Sequence, residues 1–93
     1  MTVPSPDFAQ RVIRLVGGAR NIDTLTHCLV RLRFVLHDDS LADDEALEEL
    51  PEVVVVVRQG GQLQLALTFP VPAAHAEVAR HLGDDVPKEG NDT

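Results

Sequence analysis

Apolar residues first recur at helical spacing. Phe8, Val12, Leu15 and Val16 share one face of a helix. Ser5 and Pro6 predict its start: serine can accept from backbone N–H groups at the N-cap, and proline suits the first helical position. Gly17 and Gly18 predict its end, because glycine takes the left-handed C′ conformation cheaply. The period then shortens to two. Residues 22–27 predict a short strand and residues 29–36 a second. On that second strand Leu32, Phe34 and Leu36 lie on one face, and Arg31, Arg33 and Val35 on the other. The two strands are close enough in sequence to form a hairpin with Cys28 at or near its bend.

Residues 38–44 form an acidic connector. Asp43 or Asp44 can cap a short helix carrying Ala46, Leu47 and Leu50, which Pro51 stops. Acidic residues at its start also suit the helix dipole, so this stretch reads as a solvated capping segment rather than a metal site. Five consecutive valines, residues 53–57, predict a strand covered on both faces and central in the sheet. Gln59, Gly60 and Gly61 predict a turn. Leu63, Leu65 and Leu67 then alternate with Gln62, Gln64 and Ala66, as in a half-buried partner strand. Pro70 and Pro72 break the sheet, and residues 73–82 predict a last helix with Ala74, Val78 and Leu82 as its buried stripe. Residues 83–93 are Gly, Pro and charge and are expected to be a disordered tail, leaving residues 1–82 as the domain. The order α-β-β-α-β-β-α implies an α+β fold: two layers, with three helices against a four-stranded antiparallel sheet.

Composition narrows the function classes. A chain of 93 residues with 44% hydrophobic and 25% charged residues is one ordinary globular domain. No apolar run approaches the ~18 residues of a membrane span, and no signal peptide is apparent, so a cytoplasmic domain without direct membrane insertion is expected. A net charge of −7 repels phosphate backbones, and the chain has no Trp or Tyr to stack bases, so nucleic acid is not an expected partner. The single cysteine excludes an internal disulfide and paired-cysteine zinc patterns. His37, His75 and His81 have no metal-site spacing and read as surface residues, so no metal or cofactor is expected.

The chemistry concentrates around Cys28. Arg31 and Arg33 project from one strand face, and each guanidinium is a planar fork of donors suited to phosphate oxygens. Two nearby positive charges favour thiolate over thiol. A bend after a strand can also expose backbone N–H groups to an anion. These features suit phosphoryl transfer, whose catalysis is mostly positioning and charge stabilisation. An inert core cysteine beside an exposed Arg-x-Arg edge is the competing reading on pattern alone.

The stretch G-G-x-x-N-I-x-x-L-x-H-C-x-x-R-L-R-F runs from Gly17 to Phe34. With A-L-x-x-L-P from Ala46 to Pro51 and G-G-Q-x-Q from Gly60 to Gln64, it resembles the IIB domains of the glucose, sucrose and β-glucoside family of the sugar phosphotransferase system. The resemblance covers about residues 8 to 68 and implies the glucose-type IIB fold. It further implies that Cys28 receives a phosphoryl group from a IIA phosphohistidine, becomes phosphocysteine, and passes the group to a sugar held by the membrane IIC component. Arg31 and Arg33 would bind the phosphoryl group, with Thr26, His27, Leu29 and Val30 supporting the site. His27 is expected to shape the bend or a partner surface rather than act as a base, since neighbours on a strand face opposite ways. IIA and IIC partners are expected as separately encoded chains, or as parts of a lost fusion. The protein itself is expected to be a monomer, cytoplasmic and brought to the inner face of the cell membrane through IIC.

The chain departs from the family pattern at four positions. Val30 stands where a threonine is usual, and Glu52, Val55 and Thr68 where glycines are common. These departures keep open an alternative, an interaction or regulatory module on the same scaffold with weak or no phosphotransfer. A thiol redox domain ranks last, because Cys28 has no resolving partner in the chain.

Overall fold

The structure is a computed structural model and describes residues 7–82. In chain order the elements are α1 (Phe8–Leu15), β1 (Ile22–His27), β2 (Arg31–Leu36), α2 (Asp44–Glu48), β3 (Val53–Gln59), β4 (Gln62–Leu67) and α3 (Val71–Arg80). Single 3₁₀ turns at Ala19–Asn21 and Asp39–Leu41 connect them. The strands form one antiparallel sheet in the order β1-β2-β4-β3. This is the α+β two-layer arrangement that the order of elements implies.

Alternation along the strands decides which face the helices cover. Leu32 pairs with Leu65 and Phe34 with Leu63, and all four are fully buried. They join Phe8, Val12 and Val16 from the α1 segment, Leu47 from α2, and Val71, Ala74 and Val78 from α3 in one core. Burying each of these side chains other than Ala74 contributes roughly 1.5–3 kcal/mol. Phe8 and Phe69 meet edge to face, with ring centroids 5.3 Å apart. The other sheet face carries Arg31, Arg33, Gln62 and Gln64, and no helix of the described residues packs on it.

Asn21 joins the first helix to the end of the first hairpin. Its buried Nδ2 donates to Val16 O at 2.7 Å and Asp38 O at 2.9 Å, while its Oδ1 accepts from Asp38 N–H at 2.9 Å. Gly17 makes this approach possible. Its φ is +107°, and a Cβ there would sit 2.6 Å from the Asn21 Nδ2.

Several expectations change. Helix α1 starts at Phe8 with Asp7 at the cap position and no side-chain capping bond; Ser5 and Pro6 lie outside the described residues, as does the tail at 83–93. Strand β2 begins at Arg31 rather than residue 29, because Leu29 and Val30 belong to the bend. Helix α3 begins at Val71, with Pro70 before it and Pro72 in its first turn, so the prolines open the helix as well as ending the sheet. It ends at Arg80 rather than residue 82; Ala74 and Val78 form its buried stripe as expected, and Leu82 is buried in the turn that follows.

The largest correction concerns the valines. Strand β3 is an edge strand, not a central one, and Val54 and Val55 are 64% and 38% exposed. Its edge is protected in other ways. The register slips between Val53 and Val55, and Arg58 bridges to Asp39 at 3.1 Å and Asp44 at 2.8 Å. Such half-exposed ion pairs add less than about 1 kcal/mol; bulge and charge oppose pairing with another edge more than they stabilise this one.

Candidate functional site

Cys28 follows β1 directly, at the mouth of the first hairpin. Neither Leu29 nor Val30 has positive φ, so the loop does not take the mirror-image turn of a tight two-residue hairpin. Both residues stand in solvent, 78% and 65% exposed. Cys28 itself is only 6% exposed.

Burial pushes the Cys28 thiol up. Hydrogen bonds from the backbone N–H groups of Val30 and Arg31 pull it down, and the charge and hydrogen bond of the Arg33 guanidinium pull it further. The downward influences win, so the thiol lies below its ordinary 9.0. The loop therefore holds a sulfur whose nucleophilic thiolate forms more readily than that of an ordinary thiol.

The two arginines are placed differently. Arg33 reaches the sulfur with its side chain, whereas Arg31 reaches it through its backbone N–H. The Arg31 guanidinium donates instead to Gln64 Oε1 at 3.1 Å, and Gln64 Nε2 donates onward to Gln62 Oε1 at 2.9 Å. Gln64 is 4% exposed and lies opposite Arg33 in the β2–β4 register. It is a neighbour of the site that sequence reading passed over. The alternation of Gln62 and Gln64 was visible, but their place beside the arginines depends on β4 pairing with β2.

The supporting residues divide between the two faces. Thr26 is buried opposite Arg33, on the open face. His27 lies opposite Leu32, on the helix-covered face, and is 8% exposed. Its Nδ1 lies 3.0 Å from Cys28 O, and its ring meets that of His75 from α3 edge to face at 4.8 Å. His75 was expected at the surface; α3 instead tucks it half-buried against His27. His37 and His81 are exposed.

Where the family's usual glycines are replaced, the fold has room for side chains. Val55 projects from the edge strand, Thr68 is exposed, and Thr68 N–H donates to Glu52 O at 3.0 Å. Glu52 is buried.

Fold and site together define a two-layer α+β domain that holds one thiol below its ordinary value, with two arginines on the neighbouring strand. The family described as phosphotransferase system, EIIB matches residues 10–43. The arbutin-, cellobiose- and salicin-specific EIIBC component of Escherichia coli is 42% identical over 79 residues, 85% of this chain and 16% of that protein. The β-glucoside-specific EIIBCA component of Bacillus subtilis is 40% identical over 74 residues, 80% of this chain and 12% of that protein. A crystal structure of one domain of the phosphotransferase-system IIabc component from Clostridium difficile matches with a TM-score of 0.76 and 32% identity, covering 91% of this chain and 85% of that one. The chain belongs to the EIIB family of the sugar phosphotransferase system. It spans 16% and 12% of the lengths of the two curated relatives, which carry further components. Among the described residues no helix is long and apolar enough to cross a membrane.

Proposed function

We propose that this protein is a phosphoryl carrier with Cys28 as its transient phosphocysteine. The observation that carries the reading is the lowered Cys28 thiol, held by two loop amides and the Arg33 guanidinium. The Cys28 thiolate attacks the phosphorus of a phosphohistidine on a IIA component. A sulfur–phosphorus bond forms, the nitrogen–phosphorus bond breaks, and its electron pair returns to the imidazole. A sugar hydroxyl on a IIC component then attacks the same phosphorus. The sulfur–phosphorus bond breaks, Cys28 leaves as thiolate, and the hydroxyl proton passes to a base on the acceptor side.

The arginines suit the charge that travels. A phosphoryl group carries about −1.5 to −2 as a monoester, which two guanidinium groups largely neutralise. Arg33 already touches the sulfur, and Arg31 is held on the same open face by Gln64. Fusions of EIIB with C, and with C and A, among the relatives support IIC and IIA as partners, here acting at the inner face of a membrane.

A second reading is an interaction module without turnover. It is favoured by Leu29 and Val30, an exposed apolar tip where the family usually offers a threonine hydroxyl. One experiment separates the two. The protein is mixed with labelled phosphoenolpyruvate, the two general phosphocarriers and candidate IIA proteins, with Cys28→Ser as control. Label on the parent that vanishes in the control is expected; a folded, reduced parent that takes no label from any donor leaves the interaction module.

A further inference from the structure

In a hairpin closed by two residues, the pair flanking the turn exchanges two bonds, each N–H donating to the other's carbonyl. Cys28 and Arg31 flank Leu29 and Val30 in this way. One of the two bonds is present: Cys28 N–H donates to Arg31 O at 3.0 Å. The reciprocal bond is not made. The Arg31 N–H donates to the Cys28 sulfur, and the Cys28 carbonyl accepts from His27. A carbonyl oxygen cannot donate, so the His27 Nδ1 bears the proton in this contact.

We propose that His27 is a positioning residue that supplies a substitute donor to the Cys28 carbonyl and so frees the Arg31 amide for the sulfur. The proposal rests on Cys28 being the phosphoryl acceptor for its purpose, though not for its physics. Without another donor, a buried carbonyl would draw the nearest amide back to itself, and that amide belongs to Arg31. His27 satisfies the carbonyl from the helix-covered side, opposite the face where Arg33 and Gln64 lie. It acts on the thiol through the peptide between Cys28 and Leu29, with no need to touch the sulfur. His75 holds the ring: the two imidazoles meet edge to face at 4.8 Å with 61° between their planes. Leu32, the cross-strand partner of His27, is fully buried beside it.

This arrangement makes a geometric demand that few side chains meet. The donor must reach the next residue's carbonyl from a short stem, as the imidazole Nδ1 does. Asparagine places an amide N–H at nearly that position. Glutamine places its amide one methylene further out, near the Nε2 position. Phenylalanine keeps the ring contact with His75 and removes the donor.

The test is the pH profile of iodoacetamide alkylation at Cys28, measured on the full chain for the parent, His27→Phe, His27→Asn and His27→Gln. Folding is checked by circular dichroism. His27→Phe is expected to cut the thiolate fraction near neutral pH roughly tenfold, the scale of one lost hydrogen bond to the charged form. His27→Asn is expected to restore the parental profile, and His27→Gln to fall with His27→Phe. A folded His27→Phe with the parental profile overturns the proposal. If His27→Phe does not fold, the Asn and Gln variants decide it: matching profiles for those two overturn it. Alkylation needs no phosphoryl donor, so failure of this proposal and failure of the phosphocarrier reading give separate results.

Discussion

The two hairpins of the sheet turn in opposite ways. Between β3 and β4 the chain reverses through Gly60 and Gly61, with φ of +61° and +77°, and Gln59 pairs with Gln62 across them. Both values are positive, as a type I′ turn requires, and its twist matches the strands. Between β1 and β2 the chain reverses through Leu29 and Val30 with no positive φ. The flanking residues there share only one backbone bond, and the spare amides turn to a sulfur. The glycine hairpin completes its own hydrogen bonding; the other leaves donors for an anion. The candidate site is thus a turn that does not close.

The hairpins meet on the open face, where Arg33 lies opposite Gln64 and Arg31 donates to it. That contact sets the largest expected effects. Arg33→Gln removes a charge and a hydrogen bond from the sulfur. Phosphoryl transfer to Cys28 is expected to slow about 10²–10³-fold, as when one donor to a developing anion is lost. Its alkylation profile is expected to move to higher pH at the same time. Arg31→Gln keeps the backbone amide that serves the thiol. Transfer is expected to slow about ten- to hundredfold, as for a hydrogen bond to a charged group, with the alkylation profile unmoved. Equal shifts of the profile in both variants would break the distinction between the arginines.

Exchanging the turn chemistry tests the comparison directly. Leu29→Asn combined with Val30→Gly permits two positive φ values, so the first hairpin can close as the second does. The Arg31 amide would return to the Cys28 carbonyl, and the thiolate fraction near neutral pH is expected to fall about tenfold. In the reverse direction, Gly60→Ala and Gly61→Ala meet no atom within 4 Å, so their cost is purely conformational. Each is expected to lower stability by about 1–2 kcal/mol in chemical denaturation and to leave the thiol unchanged. A closed first turn that kept a reactive thiol would mean that the loop amides matter little.

Local chemistry was legible in the chain, and pairing was not. The bounds of β1, the glycine turn and the stripe on α3 follow from period and from residues with special backbone freedom. The grouping of Cys28 with Arg31 and Arg33 also follows, since strand alternation puts both arginines on one face. The order β1-β2-β4-β3 does not follow, because it depends on which edge of the first hairpin receives the second. Five valines express β-propensity without saying whether both faces and both edges are covered. The wrong placement of β3 and the unnoticed Gln64 have this one cause. The unequal work of the arginines was hidden for a different reason: it turns on a backbone N–H, which carries no signature in sequence. His75 was missed because it meets His27 only once α3 has docked.

The smallest effect is a test of the thiol's thermodynamics, and its sign is informative. Burial alone would raise the Cys28 thiol on folding, and stability would then fall as pH rose. The Val30 and Arg31 amides and Arg33 reverse this, leaving the folded thiol below 9.0. A group depressed on folding adds stability that is fully present above its unfolded value and lost as pH falls through its folded value. The window therefore lies between the lowered folded value and about 9.0. Across it the unfolding free energy of the parent, relative to Cys28→Ala, is expected to rise with pH and to be flat on either side. Urea denaturation of both proteins at a series of pH values measures this difference. A falling difference would mean that desolvation outweighs the loop's donors, and the open hairpin would then be a packing accident rather than an anion site.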